Sequence, residues 1–168
     1  MPGYTFFYSA KPVGGSDNHV FSQWHPCRFE ENNAVYASTE QYMMAKKAEL
    51  FGDDASLARI MACDDPKQIK ALGRRVTGFS AERWSAAAYD IVVRGNRLKF
   101  SQDPELRRAL LATGDTLLVE AAPYDRIWGI GITAGRASVV PEAQWPGANL
   151  LGKALTQVRN ELCENAAV

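Results

Sequence analysis

Arg28-Phe29-Glu30-Glu31-Asn32-Asn33-Ala34-Val35-Tyr36-Ala37-Ser38-Thr39-Glu40-Gln41-Tyr42 carries two kinds of local structure in one short run. The segments 28–31 and 34–37 flank Asn32-Asn33, and this reads as a hairpin because Asn tolerates the left-handed conformation a tight turn demands. The pattern then changes. Ser38 followed by Gln41 forms a capping box, which predicts a helix running to about Leu50.

Further along, Gly52-Asp53-Asp54 punctuates the chain and a short helix follows to Ala62. Asp65-Pro66 opens another, with Asp as cap and Pro in the first turn, closed by Gly73. Ser80 caps the longest helix, in which Trp84, Ala87, Ala88, Ile91, Val92, Gly95 and Leu98 keep helical spacing. Asp103-Pro104 opens one more, ended by Gly114. Thr116 to Ala121 and Ile127 to Thr133 read as strands around the turn Pro123-Tyr124-Asp125-Arg126, and a last helix is expected from about Ala148 to Asn165. Tyr4 to Tyr8 is aromatic and β-prone. The expected class is α+β, mostly helical, with small sheets from the N-terminal pieces and the late hairpin. Neither a repeat nor a linker interrupts the chain, so residues 1–168 are expected to form a single domain.

Composition narrows the function. In 168 residues, 46% are hydrophobic, and 19 basic side chains balance 19 acidic ones. A formal net charge of zero excludes a polybasic coat protein or a strongly cationic membrane binder. Charged residues interrupt every long apolar run, so no membrane span is expected. Met1 to Ala10 lacks the pattern of a secretory signal, which leads us to expect a soluble intracellular protein. Cys27, Cys63 and Cys163 are odd in number and widely spaced, which argues against a disulfide framework and for buried or half-buried thiols. His25-Pro26-Cys27 lacks the further ligands that zinc needs, and no metal or cofactor is expected.

Some motifs tempt and fail. Gly147-Ala148-Asn149-Leu150-Leu151-Gly152-Lys153 matches the letters of a phosphate-binding loop, but Ala154 replaces the Mg²⁺-binding hydroxyl and no apolar strand leads in. Gly129, Gly131 and Gly135 have the wrong spacing for a dinucleotide fingerprint. His19 and His25 are the only histidines, both in a polar early loop, so no nucleophilic triad emerges.

Several separated segments nevertheless fall into one ordered pattern. They are Phe21-Ser22-Gln23-Trp24, Ser38-Thr39-Glu40-Gln41-Tyr42 with Ala45-Lys46-Lys47, and Leu72-Gly73-Arg74. Trp84, Leu98-Lys99-Phe100, Leu118-Val119-Glu120, Ile127-Trp128-Gly129-Ile130-Gly131 and Asn149-Leu150-Leu151-Gly152 complete it. In these the chain resembles the NADAR, or YbiA-like, family from about residue 6 to 162. The resemblance implies a YbiA-like fold and an N-glycosidase that hydrolyses a ribose C1–N bond without cofactor. Its implied substrates are ADP-ribose on guanine, free or in nucleic acid, or the ribosylamino-pyrimidine phosphates of riboflavin synthesis. The family more often has Phe-Ser-Asn-Phe where this chain has Gln23 and Trp24, and some members have Asp where Ile130 stands.

Breaking such a bond builds positive charge at the anomeric carbon, so a carboxylate, a placed water and stabilisation of the departing base are needed. Glu40 is the leading carboxylate, in a first turn where the helix dipole favours its ionised form; the same position also suits an acid that serves helix stability alone. Lys47 falls seven residues later, on nearly the same face and about 10 Å along the axis, suited to a phosphate. Arg74 is a phosphate candidate on the resemblance, although a cation at a helix end needs no ligand. Trp84 serves either as core or as a stacking wall. Trp128 has small neighbours, Gly129 and Gly131, which open space for a flat ring. Glu120 is either a strand's polar face or the partner that orients Lys99 or Arg74. Asp125 is a turn former or a second, water-activating carboxylate, and Asn149 a helix cap or a ligand for ribose hydroxyls. With Lys46, Arg75 and Lys153, these cations exceed what one phosphate requires, which favours the diphosphate of ADP-ribose. A reader that binds ADP-ribose without cleaving anything is the competing class, and neither reading involves a membrane.

Overall fold

The computed structural model describes residues 3–12 and 16–164. They fall into two compact units, one continuous over Gln23–Asp103 and one assembled from the segments on either side of it.

In the 23–103 unit the hairpin forms as expected. Its strands are β2 (Phe29–Glu31) and β3 (Ala34–Tyr36), antiparallel with Phe29 opposite Tyr36. Asn32 and Asn33 both have positive φ, 50° and 65°. That geometry matches the right-handed twist of the strands. Helix α1 (Thr39–Phe51) follows at once, and the Ser38 hydroxyl accepts from the Gln41 amide at 3.1 Å. The Gln41 side chain reaches back to the Ala37 N–H at 2.7 Å and donates to the Ile60 and Cys63 carbonyls. One glutamine thus caps α1 and ties it to α2 (Asp54–Met61).

Residues 39–45 of α1 are all buried, because α2, α3 (Pro66–Gly73) and α4 (Ala81–Gln102) surround the helix. Gly73 lies inside α3 rather than closing it in a left-handed turn. A Cβ there would strike the Met44 thioether, so the glycine is required by close helix packing. The Phe29, Tyr36 and Tyr42 rings pack with centroids 5.0–5.8 Å apart. Behind them the buried Glu31 accepts from the Tyr42 hydroxyl and pairs with Lys46 and Arg94.

In the other unit β1 (Tyr4–Phe7) pairs in parallel with β4 (Leu117–Glu120), Tyr4 opposite Leu117 and Phe7 opposite Glu120. Helix α7 (Leu150–Glu164) packs on β4, and α5 (Pro104–Leu111) packs on α7. The expected end of α7 at Asn165 lies outside the described residues. A single turn, α6 (Ala134–Ala137), adds Ala137 to a core of Val119, Ala121 and Ile130.

The strand expected over Ile127–Thr133 does not form, so there is no late hairpin. The Ile130 and Gly131 amides donate to the Glu120 and Ala122 carbonyls, while the carbonyls of 127–130 accept from the amides of 147 and 149–151. With its backbone groups satisfied by a helix start, this segment has nothing left for a ladder. Cys27 and Cys63 are half-buried and Cys163 is exposed, which corrects the expectation for that thiol. Among the described residues no helix is long and apolar enough to cross a membrane.

Candidate active site

The expected site residues form two groups, one in each unit. Glu40, Lys47, Arg74, Trp84 and Lys99 belong to the 23–103 unit. Glu40 is the second residue of α1 and is 6% exposed. Its backbone N–H donates to the Gln23 carbonyl at 3.0 Å, and the Thr39 hydroxyl reaches the same oxygen. The helix start therefore holds Gln23 against the carboxylate-bearing residue. Capping and dipole together favour negative charge here. An acid placed at a helix start only for stability is usually solvated, and Glu40 is not.

Lys47 is engaged rather than open. Its Nζ donates to the Gly73 carbonyl at 2.8 Å, with the Phe79 and Trp84 rings 4.5 and 5.4 Å from it. Desolvation holds its pKa below the ordinary lysine value. Trp84 is thus a half-buried wall of a lysine box, and Phe79, not singled out from sequence, is the exposed opposite wall. Arg74 and Arg75 follow at the end of α3, and both are exposed. Lys46 does not stand solvated, since it pairs with Glu31 at 3.2 Å and Glu49 at 2.9 Å. Lys99 is 1% exposed, and desolvation pulls its pKa down to about 8 against the opposing pull of Cys27 and Asp103. Of the cations counted for a diphosphate in this unit, the two adjacent guanidiniums of Arg74 and Arg75 remain at the surface.

Glu120, Asp125, Trp128, Gly129 and Asn149 belong to the other unit and form one woven loop. Asp125 Oδ1 accepts from the Ile127 and Trp128 amides at 2.9 and 2.8 Å, so one of its oxygens holds the turn that presents Trp128. Beside Trp128, which is half-buried, a Cβ on Gly129 would lie 2.8 Å from the Ala122 methyl and 3.0 Å from the Asp125 and Glu120 carbonyls, so the room that glycine leaves is taken up by the chain's own backbone.

Asn149 stands immediately before α7, its carbonyl accepting from the Lys153 N–H at 3.0 Å, while its side chain turns to β4. Its Oδ1 accepts from the Glu120 N–H and its Nδ2 donates to the Leu118 carbonyl, each at 3.0 Å. The 3% exposed amide therefore acts as an additional strand residue along β4. Its φ of 53° and a Gly152 whose Cβ would strike the Leu118 carbonyl let α7 approach that closely. Glu120 is 9% exposed at the end of β4, its main-chain groups bonded to Asn149 and Ile130. Among the described residues no three His, Cys, Asp or Glu side chains group as metal ligands.

Sequence reasoning missed Asn96, fully buried in α4, whose Nδ2 donates to Gln23 Oε1 at 3.0 Å and to the Val92 carbonyl at 2.9 Å. An Asn inside an otherwise apolar helix stripe was the available signal, because a buried amide needs partners.

The NADAR domain family model matches residues 6–163. The chain is 50% identical over 163 residues to an N-glycosidase of Acanthamoeba polyphaga mimivirus, covering 94% of this chain and 95% of that protein. It is 32% identical over 155 residues to a riboflavin biosynthesis protein of Vibrio vulnificus, covering 89% of this chain and 37% of that one. Among solved structures, the NMR structure of the E. coli protein YbiA matches with a TM-score of 0.79 at 26% identity, covering 99% of this chain and 89% of YbiA.

Proposed function

Because the chain belongs to the NADAR family and is an N-glycosidase, a hydrolase acting on N-glycosyl compounds, we propose that it removes ADP-ribose from guanine. The observation that carries this reading is Glu40, a buried carboxylate at the start of α1, whose own backbone N–H fixes the adjoining loop. As the C1–N bond lengthens, a carboxylate in that position stabilises the cationic sugar. Water adds to C1 and loses a proton, while guanine leaves with the bonding electron pair and takes up a proton. Hydrolysis therefore balances without a cofactor. The exposed Arg74 and Arg75 suit the diphosphate, since two guanidiniums offer paired donors to phosphate oxygens. Phe79 and Trp84 suit an aromatic base. In the same reading Trp128 binds substrate on the turn Asp125 fixes, and residues 1–168 act as one domain; an unbroken family match over 6–163 supports the latter.

The second reading is hydrolysis of ribosylamino-pyrimidine phosphates, favoured by the relative named for riboflavin biosynthesis. Mass spectrometry after incubation with each substrate separates the two. An oligonucleotide carrying ADP-ribose on guanine is expected to yield ADP-ribose and unmodified guanine. The ribosylamino-uracil phosphate yielding ribose 5-phosphate and free pyrimidine would establish the second reading instead. Glu40→Gln is expected to lower turnover by at least about a hundredfold with binding retained, and unchanged turnover removes Glu40 from the chemistry.

A further inference from the structure

The Asn96 amide has a defined polarity. Its Nδ2 donates to the Val92 carbonyl, a group that only accepts, so nitrogen must be on that side. The same nitrogen faces Gln23, which must therefore present Oε1 to it, so that Nε2 is not the atom in contact with Asn96. The Gln23 main chain is held as well, its carbonyl taking the Glu40 N–H and the Thr39 hydroxyl. Gln23 is a half-buried residue bonded directly to the backbone of Glu40, and no hydrogen bond among the described residues uses its Nε2. The orientation is held against a cost, because Asn96 Oδ1 is buried with no partner. An apolar residue would fill that position without leaving an acceptor unsatisfied.

We propose that Gln23 Nε2 is a substrate-binding donor acting beside Glu40 on an acceptor oxygen of the N-riboside, and that Asn96 is the positioning residue that sets its polarity. This rests on the N-glycosidase reading above. The acceptor is a ribose hydroxyl or a carbonyl of the base, and the test separates them.

Gln23→Glu keeps the shape and the contact with Asn96 but replaces the donor by an acceptor. On whichever N-riboside the wild type hydrolyses, it is expected to raise KM about tenfold with an unchanged melting temperature. Its KM should fall back towards the wild-type value near pH 4–5, roughly where a carboxyl regains a proton to donate. Gln23→Met is expected to raise KM similarly with no such recovery, and it carries the test if the Glu variant melts early. Asn96→Leu frees the amide to turn and is expected to raise KM about threefold with kcat retained. A parallel loss of ADP-ribose affinity by calorimetry places the acceptor on the sugar, and retained affinity places it on the base. A wild type that turns over while both Gln23 variants keep its KM overturns this proposal alone. A wild type that hydrolyses no N-riboside and binds no ADP-ribose removes the functional reading along with it.

Discussion

Burial depresses the ammonium of Lys99 to a pKa of about 8, while the unfolded chain titrates near the ordinary lysine value. Between these values the unfolded state holds more protons, so stability rises with pH across that window. Below about 8 both states are protonated and the full penalty, on the order of 3 kcal/mol, is present. Lys99→Met removes the titration. In urea denaturation its stability relative to wild type should be greatest near pH 7.5 and shrink towards pH 10; a gap independent of pH would contradict a buried ammonium. The place of Glu40 in the first turn of α1 was legible at this scale because the capping box is local, whereas the bond Asn96 makes was not, since its partner Gln23 is 73 residues away. Lys47 was placed on the right helix, whereas the Gly73 carbonyl at the end of α3 that its ammonium meets, 26 residues on, was not legible.

At the scale of elements, caps and turns made the helices readable, since Ser38, Asp53, Asp65 and Ser80 each accept from an amide two or three residues on. The Ile127–Thr133 strand was misread because the run of residues does not show which backbone groups pair. Its carbonyls bond to the start of α7, a pairing set by tertiary packing. Asn149 is the hinge of that pairing. Asn149→Ala would strand the Glu120 N–H and the Leu118 carbonyl and place alanine at positive φ. The cost should be about 3 kcal/mol or more by chemical denaturation, and a loss under about 1 kcal/mol would show that those groups find other partners.

For the molecule as a whole, ligand linkage offers a check that needs no turnover. At a hundredfold excess over Kd, ADP-ribose should stabilise the native state by about 2.7 kcal/mol, seen as a rise in melting temperature. Glu40→Gln should keep that rise, because it removes chemistry rather than the diphosphate contacts. A wild type whose melting temperature ADP-ribose leaves unmoved would separate the family's chemistry from this ligand.

The pairing of Tyr4–Phe7 with Leu117–Glu120 also dictates an order of events during synthesis. The first strand leaves the ribosome with no partner, and the intervening 23–103 unit has its helices and hairpin in one continuous stretch. That stretch can collapse while the later strand is still being translated. The aromatic N-terminal strand must meanwhile wait as an unpaired edge, the state in which nascent chains are most exposed to aggregation and most in need of chaperones.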